Sequence, residues 1–445
     1  MAVELDSKLI IANQQPTTPN RVNTFAPVRN DGTPVKRDNF LYVGEYTSKN
    51  RLKVSDYETL FFNTFQYGIE TDIWDTETTG TSSAVWDGET NQILLSIGGT
   101  AGDKVIRQTK NVQKYVPGRA STISFAVTLK TPVEGIRKRF GMFDTEFNGF
   151  WFEDSGVWVD GIPQYNCVVS NGGTPIVVSR SNWNGDKLDG TGVSGIVADP
   201  TKIQLINVSY EWYGAGEVRF GFVIDGYEYI VHSHQNANRY TLPWAQTPFL
   251  PIRMELEALS TVVGGPFTMV QGSNSLISEG SISSKGVAQN ITSPITGTTM
   301  TTANTWYPVL SLRLKPSTLN GIALLDNFQI ATIDNTNIFY RLVRNADLGV
   351  TGANGWLDMP DSNAFTQYQT YTAPGAVIPA NQGVAIYSGF VVAGGGGAAV
   401  NLSKDSIYQI GRTQLGTTSD TYTLLCASNN ANKAALASLT WIEQR

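Results

Sequence analysis

Between Gln204 and His234 apolar side chains recur at every second residue. Ile206, Val208, Tyr210 and Trp212 form one run, Val218, Phe220, Phe222 and Ile224 a second, and Tyr227, Tyr229 and Val231 a third. A period of two sends successive side chains to opposite faces of a pleated strand. Asp225-Gly226, between the second and third runs, is a tight hairpin signal. The flanking stretches RFGMFDTEFNGFWFED (139–154) and PFLPIRMELE (248–257) show the same habit, broken by Asn-Gly and Gly-rich turns. The segment reads as a large antiparallel sandwich.

Composition agrees. Aromatic residues make up 11% of the 445 residues and include ten Trp, whereas windows rich in Ala, Glu, Lys and Leu at helical spacing are nearly absent. Aromatic and β-branched side chains favour strands, so the expected class is all-β. The net charge of −6 is spread without a basic stripe, which argues against a nucleic-acid partner. No apolar run reaches membrane-spanning length, so no membrane is expected as a partner. The start, MAVELDSKLIIANQQ, has neither the charged region nor the long apolar region of a secretory signal. Cys167 and Cys426 sit far apart in apolar runs and read as buried small hydrophobes made in a reducing compartment.

Four segments follow. Residues 1–54 are polar, rich in Pro and Asn, and read as an N-terminal arm. Within 51–64 the spacing predicts one short helix, with Ser55 as N-cap and Glu58 closing a capping box. Residues 55–260 form the main sandwich. Residues 261–304, dominated by Ser, Thr, Gly and Asn, read as a linker or edge hairpin. Residues 305–445 carry a second set of strands, YPVLSLRL, IALLDNFQIATI, IFYRLV, VAIYSGFVV, TYTLLCA and LASLTWI, expected to form a smaller β-sandwich.

Chemistry-bearing groups are sparse. Two carboxylate pairs, Asp144 with Glu146 and Glu255 with Glu257, have the i, i+2 spacing that shares a strand face, as a glycosidase would need. Solvated carboxylates are the preferred reading. His232 and His234 are the only histidines and lack a third transition-metal ligand. No G-x-S-x-G elbow or phosphate-binding G-x-x-x-x-G-K-[ST] loop is present. No catalytic, cofactor or metal residue is therefore expected. One polar loop stands out: Asn182, Trp183, Asn184 and Asp186 combine an aromatic ring with carboxamide and carboxylate groups. These four are the candidate glycan-binding residues. Their alternating oxygen donors also resemble part of a calcium loop, but Lys187 and Val193 occupy positions that pattern reserves for Gly and Glu.

Several stretches carry a family resemblance: SRSNWNGDKLDG (179–190), DPTKIQLINVSYEWYGAGEVRFGFVIDG (199–226), VHSHQNAN (231–238) and TPFLPIRMELE (247–257), with TWYPVLSLRLKP and SLTWIEQR in the C-terminal part. Through them the central domain resembles the concanavalin-A-like (lectin/glucanase) jelly roll. More narrowly, it resembles structural proteins encoded by tailed bacteriophages and some large aquatic viruses. The resemblance implies a virion component without enzymatic activity, made in the host cytoplasm. It would be a capsid-surface decoration or head fibre, forming a symmetric oligomer, with a trimer favoured, and attached to other virion proteins by the arm. The alternative it implies is a tail, baseplate or tail-fibre protein that binds host surface glycans through the lectin-like domain.

Overall fold

A computed structural model describes residues 57–445 apart from 146, 281–285, 350–354, 376, 378–381, 395, 403–407 and 445. The expected arm lies outside the described residues. The fold is all-β, as expected, and consists of two sandwiches.

In the first sandwich an eight-stranded sheet runs in the order β13 (Tyr227–Gln235), β12 (Glu217–Ile224), β11 (Gln204–Tyr210), β6 (Ser121–Thr128), β15 (Phe267–Glu279), β4 (Gln92–Ile97) and β3 (Ser82–Asp87), with β1 (Tyr57–Asn63) also on β15. The facing seven-stranded sheet runs β10 (Thr174–Ser179), β9 (Ile162–Asn171), β8 (Gly149–Val159), β7 (Ile136–Phe143), β14 (Ile252–Ala258), β5 (Lys104–Thr109) and β2 (Trp74–Thr79). The alternation read from the sequence places Ile123, Phe125 and Val127 of β6, Ile206, Val208 and Tyr210 of β11, and Val218, Phe220 and Phe222 of β12 in one core. Across from them lie Phe140, Phe150, Phe152 and Met254 of the second sheet. Asp225 and Gly226 adopt φ of 52° and 80°, the doubly left-handed geometry that suits a two-residue hairpin to twisted strands.

Two expectations are corrected. The helix predicted within 51–64 is absent from its described part: Tyr57–Asn63 is strand β1, pairing antiparallel with Asn274–Glu279. An isolated helix of this length is marginal, whereas the edge of β15 offers partners for the backbone. The segment 261–304 is not a linker or edge hairpin over Phe267–Glu279. That stretch is β15, flanked by β6 on one side and by β4 and β1 on the other, so the strands of the first sandwich extend to Glu279.

The second sandwich pairs two smaller sheets. One runs β16 (Val287–Thr292), β28 (Lys433–Gln444), β19 (Ile322–Thr332) and β24 (Gly397–Asn401), with β17 (Thr298–Met300) on β28. The other runs β21 (Leu357–Asp358), β22 (Thr366–Thr370), β18 (Tyr307–Leu314), β27 (Thr421–Ser428), β20 (Ile338–Arg344) and β23 (Val384–Val391). Leu310, Leu312, Leu314, Leu325, Leu439 and Trp441 fill its core.

A third apolar cluster joins the sandwiches. Ile322 and Leu324 point out of β19, on the face opposite Ala323 and Leu325, and pack with Val112 and Phe249 of the first sandwich. Polar contacts surround them. The Gln409 side chain donates to the Val112 carbonyl at 3.0 Å, and the Arg412 amide to the Lys110 carbonyl at 3.1 Å. The Leu415 amide donates to Asp75 at 2.5 Å, and Arg344 pairs with Asp72 at 2.8 Å.

Candidate functional site

The loop after β10 was the leading candidate. It begins with a 3-10 turn at Arg180–Asn182, which turns Trp183 inwards. Trp183 is only 4% exposed, lies 5.8 Å from the Phe152 ring and donates its indole N–H to the Val178 carbonyl at 3.3 Å. Beside it the buried Arg180 guanidinium donates to the carbonyls of Lys187 (2.7 Å), Pro163 (2.9 Å) and Leu188, and sits over the Tyr165 ring. Burial pushes the Arg180 pKa down. Asn184 exchanges two 2.8 Å hydrogen bonds with the Ser233 backbone, tying the loop to β13. Asp186 accepts from the amides of Leu188 at 2.9 Å and Ser194 at 2.7 Å. Burial pushes the Asp186 carboxyl up, but these amides outweigh it and hold it below its ordinary value. Asn182 is exposed and bonds Ser179 at 3.2 Å.

The glycan-site expectation at Asn182, Trp183, Asn184 and Asp186 is therefore corrected on its main point: the Trp183 ring presents no face to a sugar. The polar members act as turn and tether groups, a role short Asn and Asp side chains perform well. The organiser that the sequence reading missed is Arg180. Its only trace in the sequence was an Arg at the start of the loop, since the accepting carbonyls of Lys187, Leu188 and Pro163 are brought to it by the fold.

Of the carboxylate pairs, Asp144 accepts the Asn148 amide at 2.9 Å, and Glu146 lies outside the described residues. Glu255 and Glu257 do share the outer face of the seven-stranded sheet, as their spacing predicts. Glu255 is buried and Glu257 is only partly exposed. Glu255 is 1% exposed and clamped between Arg253, whose Nε lies at 2.7 Å, and Arg139. Burial pushes its carboxyl up, and the two guanidinium groups outweigh this and keep it below the usual range. Glu257 meets Arg137 at 2.5 Å, Arg139 at 3.7 Å and Lys104 at 3.9 Å. Arg253 stands two residues before Glu255 on β14 itself, whereas Arg137 and Arg139 come from β7 and Lys104 from β5, pairings visible only once the register is known.

His232 and His234 are both buried on β13 beside a bulge. His234 stacks on Tyr240 at 5.1 Å. Both ring nitrogens of His232 lack a hydrogen-bond partner, and burial together with His234 pushes its pKa down to about 4.

No protein family matches the chain, and no curated protein does. Solved structures do match, over about half of it. A Bacillus licheniformis β-glucanase is 12% identical, covering 51% of this chain and 99% of its own, with a TM-score of 0.31. A legume lectin-like domain from Entamoeba histolytica is 13% identical, covering 48% and 95%, with a TM-score of 0.30. An endo-β-1,4-glucuronan lyase from Trichoderma reesei is 14% identical, covering 50% and 96%, with a TM-score of 0.31. These are concanavalin-A-like jelly rolls, the fold class expected of the first sandwich. The expectation of a chain without enzymatic activity is corrected by them: the matches include a glucanase and a lyase beside lectin domains, and a fold hosts many activities.

Proposed function

We propose that this chain is a structural component of a virus particle, a two-sandwich building block exposed on the particle surface. The observation that supports it most is the junction. Val112 and Phe249 packed on Ile322 and Leu324, framed by the Gln409, Arg412, Leu415 and Arg344 contacts, make one body of two sandwiches. A body that must hold its place in an assembly gains from such coupling. The sequence pattern over 179–257 supports the viral assignment. On this reading the arm anchors the chain to other particle proteins, and copies associate as a symmetric oligomer, a trimer. The test is immunogold labelling of intact particles with antibodies raised against residues 57–445. Regular surface label supports the reading, and label confined to the soluble fraction of infected cells removes it.

A second reading, carbohydrate binding, is favoured by one observation: an uncharged groove beside β15 lined by hydroxyl and carboxamide side chains.

A further inference from the structure

Most outermost strands of the two sandwiches are guarded against pairing with another chain. The edge of β13 is covered by its own loop: the Gly185 and Asp186 amides donate to the Val231 and Ile230 carbonyls at 2.9 and 3.0 Å. β10 carries Pro175, β1 carries Glu58, β2 carries Asp75 and Glu77, and β3 ends on Asp87. β21 has two residues, and β24 has five, starting at Gly397. Covering, Pro, charge and short length are the devices that keep a sheet edge from templating a foreign strand.

Two edges of the second sandwich are less guarded. β23 has eight residues, none charged and none Pro, and among the described residues it pairs only with β20. Its one bulge, at Ile386, leaves Tyr387–Val391 in regular register with β20. Phe390 is exposed there beside its cross-strand partner Phe339, which is exposed too. β16 has six residues, likewise without charge or Pro, and among the described residues it pairs only with β28. The two strands stand at opposite sides of the sandwich. β16 borders its sheet on the side of β21 and β22, where Gln289 donates to Asp361, in the turn between them, at 3.2 Å. β23 ends the other sheet at the far side from β21.

We propose that copies of this chain join head to tail through these edges, β23 of one protomer pairing with β16 of the next, and that three such contacts close a ring. Pairing β23 with a second β23 leaves every β16 open. Head-to-tail pairing uses both edges in one kind of contact, and a closed ring leaves neither unpaired. Main-chain hydrogen bonds supply the contact, as in strand addition to any open sheet edge. Neither strand carries a charge that the pairing would have to desolvate, and Phe339 and Phe390 add apolar area beside it. The proposal rests on the symmetric-oligomer reading above and assigns its surface.

The experiment is size-exclusion chromatography with light scattering on the full chain. The wild type is expected at three times the mass of one chain. Ser388→Lys/Phe390→Lys guards β23, and Val287→Lys/Ala288→Lys guards β16, all at exposed positions. Each variant alone is expected at the mass of one chain with unchanged far-ultraviolet circular dichroism. An equimolar mixture of the two keeps one matched pair of edges and is expected at the mass of two chains. Should a Lys variant fold poorly, Ala288→Cys/Ser388→Cys treated with a bismaleimide gives the same reading as a covalent trimer, because Cys167 and Cys426 are buried. A wild-type oligomer that survives in both Lys variants, or in which Ser388→Cys alone crosslinks to itself, overturns these edges and leaves the oligomer standing. A monomeric wild type overturns the edges and the oligomer together, while the place in a particle is still decided by immunogold labelling.

Discussion

Lys138 Nζ lies 2.9 Å from Asp154 Oδ2 inside the first sandwich, with 2% and 0% of the two side chains exposed. The residues are register partners on β7 and β8. Lys138 also donates to the Thr131 carbonyl at 3.1 Å, and Asp154 accepts the Gly156 amide at 2.9 Å. Burial raises the Asp154 carboxyl above its ordinary value, against the pull of Lys138. Removing one partner of such a pair strands a charge in the interior. Lys138→Met is expected to cost about 3–5 kcal/mol, and Lys138→Met/Asp154→Leu to recover most of it. With its carboxyl raised, folded Asp154 keeps a proton that the unfolded chain releases near pH 3.8, so its contribution to stability falls as pH rises through that window. The Lys138→Met deficit should therefore shrink as pH is lowered from 7 towards 4. Urea unfolding at both pH values measures it, and a deficit independent of pH would contradict the assignment.

Trp183 is predicted to be a stability residue. Its indole fills the space between Phe152 and Arg180, and truncation of a buried Trp leaves a cavity. Trp183→Ala should destabilise by about 3–5 kcal/mol, read as a lower guanidinium midpoint. A variant of native stability that had lost a sugar-binding signal would restore the loop as a ligand site.

Leu324 tests the coupling of the sandwiches. A carboxylate placed among Val112, Ile322 and Phe249 would be buried without a cation in that cluster, a cost of several kcal/mol charged to the junction. Leu324→Asp should split a single calorimetric transition into two, one for each sandwich. One transition at the wild-type temperature would show that the junction carries no cooperativity.

The strands were legible where alternation is clean, as in β6, β11, β12, β18 and β28. β15 was not, because several of its inward positions are polar. Gln271, Asn274 and Ser278 are almost wholly buried, and Gln271 accepts the Arg107 guanidinium at 2.8 Å. A central strand that feeds hydrogen bonds to a buried Arg reads in sequence as a Ser/Asn linker. The junction left a trace that went unused: in IALLD, Ile322 to Leu325 form an unbroken apolar run, the mark of a strand covered on both faces. Trp183 misled for the opposite reason, since polar neighbours in sequence do not show which way a ring turns. The groove beside β15 had no signal, because Gln66, Gln92 and Ser273 belong to three elements that only the pairing of β15 brings together.

His232 gives the chain an acid sensitivity of definite sign. Its ring is buried with neither nitrogen partnered, and its pKa is pushed down to about 4, below the ordinary 6.5. His234, stacked on Tyr240, is lowered too by burial, while Asn236 pulls it back. At His232 the unfolded chain therefore binds a proton near pH 6.5 that the folded chain refuses until about pH 4. Stability from this source is complete above pH 6.5 and drains away as pH falls through that window. His232→Phe removes the titrating group and fills the same side of β13. It should flatten the pH dependence of the urea midpoint between pH 6.5 and 4 while changing the midpoint at pH 7.5 little. If the slope in that window stays as steep as in the wild type, the acid sensitivity belongs to other groups and His232 is titrating elsewhere.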